Sequence, residues 1–245
     1  MRLKNKIAIV TGGARGIGKA VSELFAKEGA SVMIWDLLEE GADTAAGINA
    51  AGGTAEYFKI SVTDKKAIQE NVKHVAEKYG RIDILINNAG ITRDRTLMKM
   101  TDEEWQSVID VNLTGVYNCT KAVVPYMREN NYGRIVSAAS NVGLRGNFGQ
   151  TNYSATKAAV IAMAKTWTLE FGKYGITANC IAPGFTVTEM TNKIPSEIMD
   201  QIKKTIPLKI LADPIDIAYG YLYLASEEAR FVSGICLTID GGTAR

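Results

Sequence analysis

Histidine is nearly absent from this chain of 245 residues: His74 is the only one, and it lies in a charged stretch with helical periodicity. A Ser-His-Asp relay would have to use that residue, and a metal site built from several histidines is excluded. Cysteine is scarce as well. Cys119, Cys180 and Cys236 are odd in number, widely separated and form no CxxC pair. They read as buried thiols in a reducing compartment, not as a disulfide or zinc framework. No apolar run approaches the ~20 residues that a membrane helix needs, and Met1 to Lys6 lead into an apolar strand without a signal-peptide pattern. Charge of one sign is also missing: the net charge is +2, which gives no electrostatic footprint for nucleic acid or a lipid surface. These absences predict a cytoplasmic protein that binds neither nucleic acid nor membrane.

What is present is a steady alternation of short apolar runs and longer helical patterns. Strands are expected at Ile7 to Val10, Ser31 to Trp35, Glu56 to Ile60, Asp83 to Ile86, Arg134 to Ser137, Thr177 to Ile181 and Ile235 to Ile239. Helices are expected at Ile17 to Lys27, near Glu39 to Ala50, at Lys65 to Tyr79, at Asp102 to Met127 with a break near Leu113-Thr114-Gly115, and at Tyr153 to Phe171. Such alternation predicts βαβ units and one doubly wound α/β domain, a seven-stranded parallel sheet with helices on both faces. There is no repeat, low-complexity tract or linker, so a single domain over 1–245 is expected. The least regular stretch, Gly184 to Leu208, lies where ligands sit in such sheets, and 186–207 reads as a substrate lid.

The first strand runs into Thr11-Gly-Gly-Ala-Arg-Gly-Ile-Gly18, which opens a helix. Gly12, Gly16 and Gly18, with Arg15 and Ile17 between them, form a turn whose backbone N–H groups and helix dipole suit a pyrophosphate. Strand before and helix after is the context this reading requires; a tight βα turn without a ligand is the plainer alternative. The second strand ends at Asp36. A carboxylate there accepts hydrogen bonds from adenosine ribose hydroxyls and repels a 2′-phosphate, which favours NAD(H) over NADP(H). Arg15 is the one nearby base that offsets this and leaves NADP(H) possible.

Tyr153 and Lys157 are four residues apart in a helical pattern, with Ser140 upstream. That spacing puts phenol and ammonium on one helix face. A phenol with a pKa near 10 is a poor acid–base group at neutral pH, and a neighbouring cation is expected to lower it. Each residue also has an ordinary reading: Ser140 as a strand-end turn residue, Lys157 as a solvated side chain, Thr188 as a helix cap, Asn112 as a cap or kink-stabilising side chain.

Thr11-Gly-x3-Gly-x-Gly18, Asn87-Asn-Ala-Gly90, Asn112, Ser140, Tyr153-x3-Lys157, and Pro183-Gly184 with Thr188 occur in this order over nearly the whole chain. In this the sequence resembles the short-chain dehydrogenases/reductases, and within them it is most similar to the 3-oxoacyl-acyl-carrier-protein reductases, through Asn87 to Asp94, Leu97 to Met100 and Gly143 to Gln150. The resemblance implies that Tyr153 is the general acid, that Lys157 lowers its pKa and binds the nicotinamide ribose, that Ser140 holds the substrate oxygen, and that Asn112 holds a water leading to Lys157. It implies cofactor contacts from Asn88, Ala89, Gly90, Ser61, Val62, Pro183, Gly184, Thr186 and Thr188. The implied reaction is NAD(P)(H)-dependent reduction of a 3-oxoacyl thioester on coenzyme A or on an acyl carrier protein as partner, within fatty acid biosynthesis. The alternative is an NAD-dependent dehydrogenase of a free secondary alcohol.

Two departures bear on these expectations. Ser61 stands where many relatives carry Asp or Asn, which leaves the Val62 backbone as the adenine contact. Asn131 and Tyr174 stand where relatives present arginines to an acidic carrier, with Arg128, Lys173 and Arg134 nearby as replacements. The apolar and small residues of the two long helices (Val116, Val123, Ala155, Ala158, Ala162 and Trp167 among them) predict burial on both sides, hence a homo-oligomer, which the resemblance makes a homotetramer.

Overall fold

The computed structural model describes residues 1–188 and 196–243. Seven strands, β1 (Ile7–Thr11), β2 (Ser31–Asp36), β3 (Thr54–Lys59), β4 (Ile84–Asn87), β5 (Gly133–Ala138), β6 (Ile176–Pro183) and β7 (Cys236–Ile239), form one sheet in the order β3-β2-β1-β4-β5-β6-β7. Every pairing is parallel. The helices are α1 (Gly16–Lys27), α2 (Glu40–Ala50), α3 (Lys65–Tyr79), α4 (Asp102–Ile109), α5 (Gly115–Glu129), α6 (Asn141–Arg145), α7 (Thr151–Phe171), α8 (Ser196–Thr205) and α9 (Pro214–Ala225). The single doubly wound domain expected from the sequence is the one observed.

The sheet is apolar on both faces because helices cover both. Along β1, Ala8 and Val10 point into a core shared with α1, α2 and α9, while Ile7 and Ile9 point into a core shared with α3, α5 and α7. This two-sided burial explains why the central strands are continuous Ile/Val/Leu runs without polar alternation. Local chemistry sets the helix ends. The Asp64 carboxylate accepts from the N–H groups of Lys66 and Ala67, both at 3.0 Å, and starts α3. Thr101 and Glu104 form a reciprocal capping box at α4. Pro214 opens α9 behind Asp213, where its missing N–H costs nothing.

Between α4 and α5 the chain makes one wide π turn, Asp110–Thr114, which is the break expected near Leu113. Such a turn carries an extra residue and redirects one side chain, here Asn112, into the interior. The short α6 falls where no helix is expected from the sequence, and α8 falls within the stretch read as least regular. The expected lid is described at 186–188 and from 196 onward; residues 189–195 of it lie outside the described residues. No helix among the described residues is long and apolar enough to cross a membrane.

Candidate active site

The strand order reverses between β1 and β4, so the loops after them diverge and leave a crevice at the carboxyl ends of the strands. A cavity of about 810 Å³ occupies it. Its walls include Gly12, Arg15, Gly16, Ile17, Gly18, Asp36, Ser61, Val62, Asn88, Ala89, Gly90, Ser140, Tyr153, Lys157, Pro183, Gly184, Thr186 and Thr188. Of the residues expected to bind cofactor or act in catalysis, Asn112 alone is not part of the wall.

At the β1 end the turn is built for close backbone approach. Gly12 has φ +65°. A Cβ on Gly18 would stand 1.9 Å from the Gly12 carbonyl oxygen, so no other residue fits there. The Thr11 hydroxyl donates to the Ile86 carbonyl and accepts from the N–H groups of Asn88 (3.0 Å) and Ala89 (3.1 Å). The Asn88 amide donates back to the carbonyls of Thr11 and Gly12. These bonds hold the ends of β1 and β4 together below the cavity. The first turn of α1 carries no acidic side chain and its N-cap residue, Arg15, makes no capping side-chain bond, so the helix end is suited to an anion.

Asp36 closes the far end. Its Oδ2 accepts from the Ala14 N–H at 3.0 Å and its Oδ1 from the Leu38 N–H at 3.1 Å, which fixes the carboxylate against the turn. The Ser61 hydroxyl is engaged with Thr63, through the Thr63 hydroxyl at 2.8 Å and the Thr63 N–H at 3.2 Å. The Val62 carbonyl accepts from the Asn118 amide.

The opposite end holds Tyr153, Lys157 and Ser140. The Lys157 ammonium lies 5.5 Å from the centroid of the Tyr153 ring, as the i, i+4 spacing requires, and donates to the Ala138 carbonyl at 2.6 Å. Burial pushes its pKa down to about 8. The Tyr153 hydroxyl is raised above the usual phenol value because burial disfavours the phenolate; the Ser140 hydroxyl pulls it the other way and the Asp94 charge adds to the rise. The sequence expectation that Lys157 lowers the Tyr153 pKa is therefore corrected for the protein without cofactor. Desolvation sets the direction, and the Lys157 charge is not among the groups that act on the hydroxyl.

Asn112 lies beside Lys157 behind Gly90, where a Cβ would stand 3.4 Å from its Oδ1 and 3.6 Å from the Lys157 Nζ. Its Oδ1 accepts from the Ile91 N–H at 2.8 Å and its Nδ2 donates to the Ile91 carbonyl at 2.9 Å. The side chain clamps the loop after β4 onto the π turn. Arg134 is corrected as well. It is buried, bonded to the carbonyls of Gly133 and Gly175 and paired with Glu227, so it offers nothing to a docking partner. Arg128 and Lys173, in contrast, are exposed and stand 5.5 and 5.1 Å from the Tyr174 ring centroid.

The sequence reading missed several wall residues. Gln150 donates to both carboxylate oxygens of Asp94 and so joins the loop before α7 to the loop after β4; its place directly before α7 was the available signal. Trp35 and Tyr221 face the cavity from inside a strand and a helix whose apolar patterns gave no signal of it.

A Gly-rich turn at a helix start, a carboxylate at the end of β2 and a Tyr-Lys-Ser group along one crevice define a dinucleotide-dependent oxidoreductase, and the donor set present fits a nicotinamide cofactor. Residues 12–244 match the family model described as enoyl-(acyl carrier protein) reductase. The 3-oxoacyl-acyl-carrier-protein reductase FabG of Thermotoga maritima is 47% identical over 99% of both chains. Those of Chlamydia muridarum and Vibrio harveyi are 43% and 42% identical, each over 99% of this chain and 98% of theirs. The chain belongs to the short-chain dehydrogenase/reductase family.

Proposed function

We propose that this protein reduces a 3-oxoacyl thioester to the 3-hydroxyacyl form, with NADH favoured over NADPH. The observation that carries this reading is the single cavity with Asp36 at one end and Tyr153, Ser140 and Lys157 at the other. The reduced nicotinamide supplies the hydride. Negative charge builds on the carbonyl oxygen as the hydride arrives, and Tyr153 donates its proton from the hydroxyl to that oxygen. Ser140 donates a hydrogen bond to the same oxygen and holds it beside the phenol. Lys157 binds ribose hydroxyls and supplies positive charge that stabilises the phenolate left on Tyr153. Asp36 accepts from the adenosine ribose; the Gly12 to Gly18 turn receives the pyrophosphate. Asn88, Ala89, Gly90 and the Val62 backbone flank the adenosine, while Pro183, Gly184, Thr186 and Thr188 cover the nicotinamide side, with the 186–207 segment as lid. Asn112 acts through Ile91, by holding the loop that carries Gly90.

The names of the relatives favour a thioester over the free secondary alcohol considered from the sequence. An acidic acyl carrier protein as partner is supported by the exposed pair Arg128 and Lys173 around Tyr174. A homotetramer is supported by the outward apolar face of α7, where Ala155, Ala158, Ala162 and Leu169 are exposed; light scattering that gave the mass of one 26.5 kDa chain would exclude it.

The decisive experiment is a rate matrix: NADH and NADPH against acetoacetyl-coenzyme A, a 3-oxoacyl carrier protein, an enoyl thioester and a simple ketone. Turnover of the 3-oxoacyl thioesters ahead of the others is expected. Absence of thioester turnover with either cofactor overturns the proposal, and a preference for the enoyl thioester moves the chemistry from the oxygen to a carbon–carbon double bond.

A further inference from the structure

Tyr221 is an outlier in the interior of α9. It has no exposed surface, sits in the core shared with α1 and β6, and lines the cavity. Its hydroxyl has no hydrogen-bond partner among the described residues. Buried phenols ordinarily find a partner, because an unpaired hydroxyl loses its bonds to water and gains nothing in return. Phenylalanine would fill the same space without that cost, so the hydroxyl needs an explanation from outside the protein interior, and the residue lines the cavity. Of the groups that act on the hydroxyl through charge, Cys180, Tyr153 and Cys236, it is Tyr153, at the reacting end, that lines the same cavity; Asp36, at the other end, is not among them.

We infer that Tyr221 is a further cofactor-binding residue, whose hydroxyl takes its hydrogen bond from the carboxamide end of a bound nicotinamide. The inference rests on the nicotinamide-dependent reading above. The chemistry is complementary: the carboxamide is the one hydrogen-bonding group on that ring, and it offers both a donor and an acceptor, either of which a phenol hydroxyl can meet. Tyr153 and Lys157 are committed to the substrate oxygen and the ribose, so Tyr221 adds a contact without competing for theirs. The bond would fix the rotation of the ring about its ribose and hold one of its faces toward Tyr153.

The test is calorimetric titration of wild type and Tyr221→Phe with the preferred dinucleotide and, separately, with ADP-ribose, which has no nicotinamide. Thermal melting of both proteins without ligand accompanies it. The expected result is a Kd for the dinucleotide about three- to tenfold higher in the variant, the yield of one ordinary hydrogen bond. ADP-ribose affinity stays unchanged, and the ligand-free variant melts at the wild-type temperature or above it. An unchanged dinucleotide Kd overturns the inference, as does equal weakening of both ligands. A ligand-free variant that melts lower or fails to fold also overturns it, since the hydroxyl would then serve the protein interior. Wild type that binds neither NADH nor NADPH sinks the underlying cofactor reading, a separate failure visible before any variant is compared.

Discussion

The Lys157 ammonium is bonded to the carbonyl of Ala138 at 2.6 Å, which ties α7 to the last residue of β5, two positions before Ser140. This contact sets the spacing between Lys157 and Ser140 and costs stability, because it buries a cation. The pKa of about 8 lies below the value near 10.5 of a free lysine. Between those two values the unfolded chain holds more protons than the folded one, so stability rises with pH across that window. Below pH 8 the full cost is present, on the order of 3 kcal/mol. Lys157→Met is expected to lose turnover at least about a hundredfold. It should narrow its melting difference from wild type in the wild type's favour as pH rises from 8 to 10. Loss of the Ala138 bond is independent of pH, so the slope, read by melting curves across that range, isolates the charge. A difference that stays constant with pH would contradict the assignment.

The pairing of Ser140 with Tyr153 predicts a pH effect of definite sign. Reduction needs the protonated phenol, so its rate falls as pH rises through the Tyr153 pKa. Ser140 is the group that lowers that pKa against burial. In Ser140→Ala the alkaline limb of kcat therefore moves to higher pH, in addition to a lower plateau. Tyr153→Phe, which removes the proton altogether, should cut kcat by about 10²–10⁴ with the dinucleotide Kd little changed. A Ser140→Ala profile lower in height but fixed in position would show that the hydroxyl does not act on the phenol.

The sequence made the sheet legible because its central strands are apolar runs bounded by turns, and parallel strands covered on both faces have that form. The glycine turn and Asp36 were legible because they bracket such strands. Other features depend on neighbours distant in sequence. The helix at Asn141–Arg145 is too short to show a period. Asn112 looks like any polar helix residue until the π turn brings it onto Ile91. Arg134 reads as a surface base, yet parallel strand β5 is covered on both sides and Glu227, far along the chain, receives the charge. The direction of the Tyr153 shift was misread for the same reason: spacing reveals a cation at i+4 but not the depth at which both groups lie.

The Asn112 clamp predicts a graded series. Asn112→Ala removes both bonds to Ile91 and leaves two backbone groups short of partners, a loss of about 2–4 kcal/mol. That corresponds to a melting temperature lower by roughly 5–15 °C in a chain of this size. Asn112→Asp keeps the acceptor for the Ile91 N–H but loses the donor to its carbonyl, and should fall between. Since the loop carries Gly90 to the cavity wall, dinucleotide affinity should fall in the same order. A water-holding role toward Lys157 would instead leave stability unchanged and slow turnover alone.

Asp36 predicts the cofactor preference and its reversal. Both carboxylate oxygens are already held by backbone N–H groups, so the charge cannot swing away from a 2′-phosphate placed beside it. Asp36→Asn removes the charge while its amide oxygen can still accept one of the two bonds, so the turn should survive with a small loss of stability. The ratio of kcat/KM with NADPH to that with NADH should rise at least about tenfold, equivalent to relief of roughly 1.4 kcal/mol of repulsion. Because the term is electrostatic and the crevice is open to solvent, the wild-type preference for NADH should shrink as salt rises, and the variant's ratio should respond less. A wild-type protein that prefers NADPH at low salt, or a variant with an unchanged ratio, would mean that Arg15 and the turn outweigh the carboxylate.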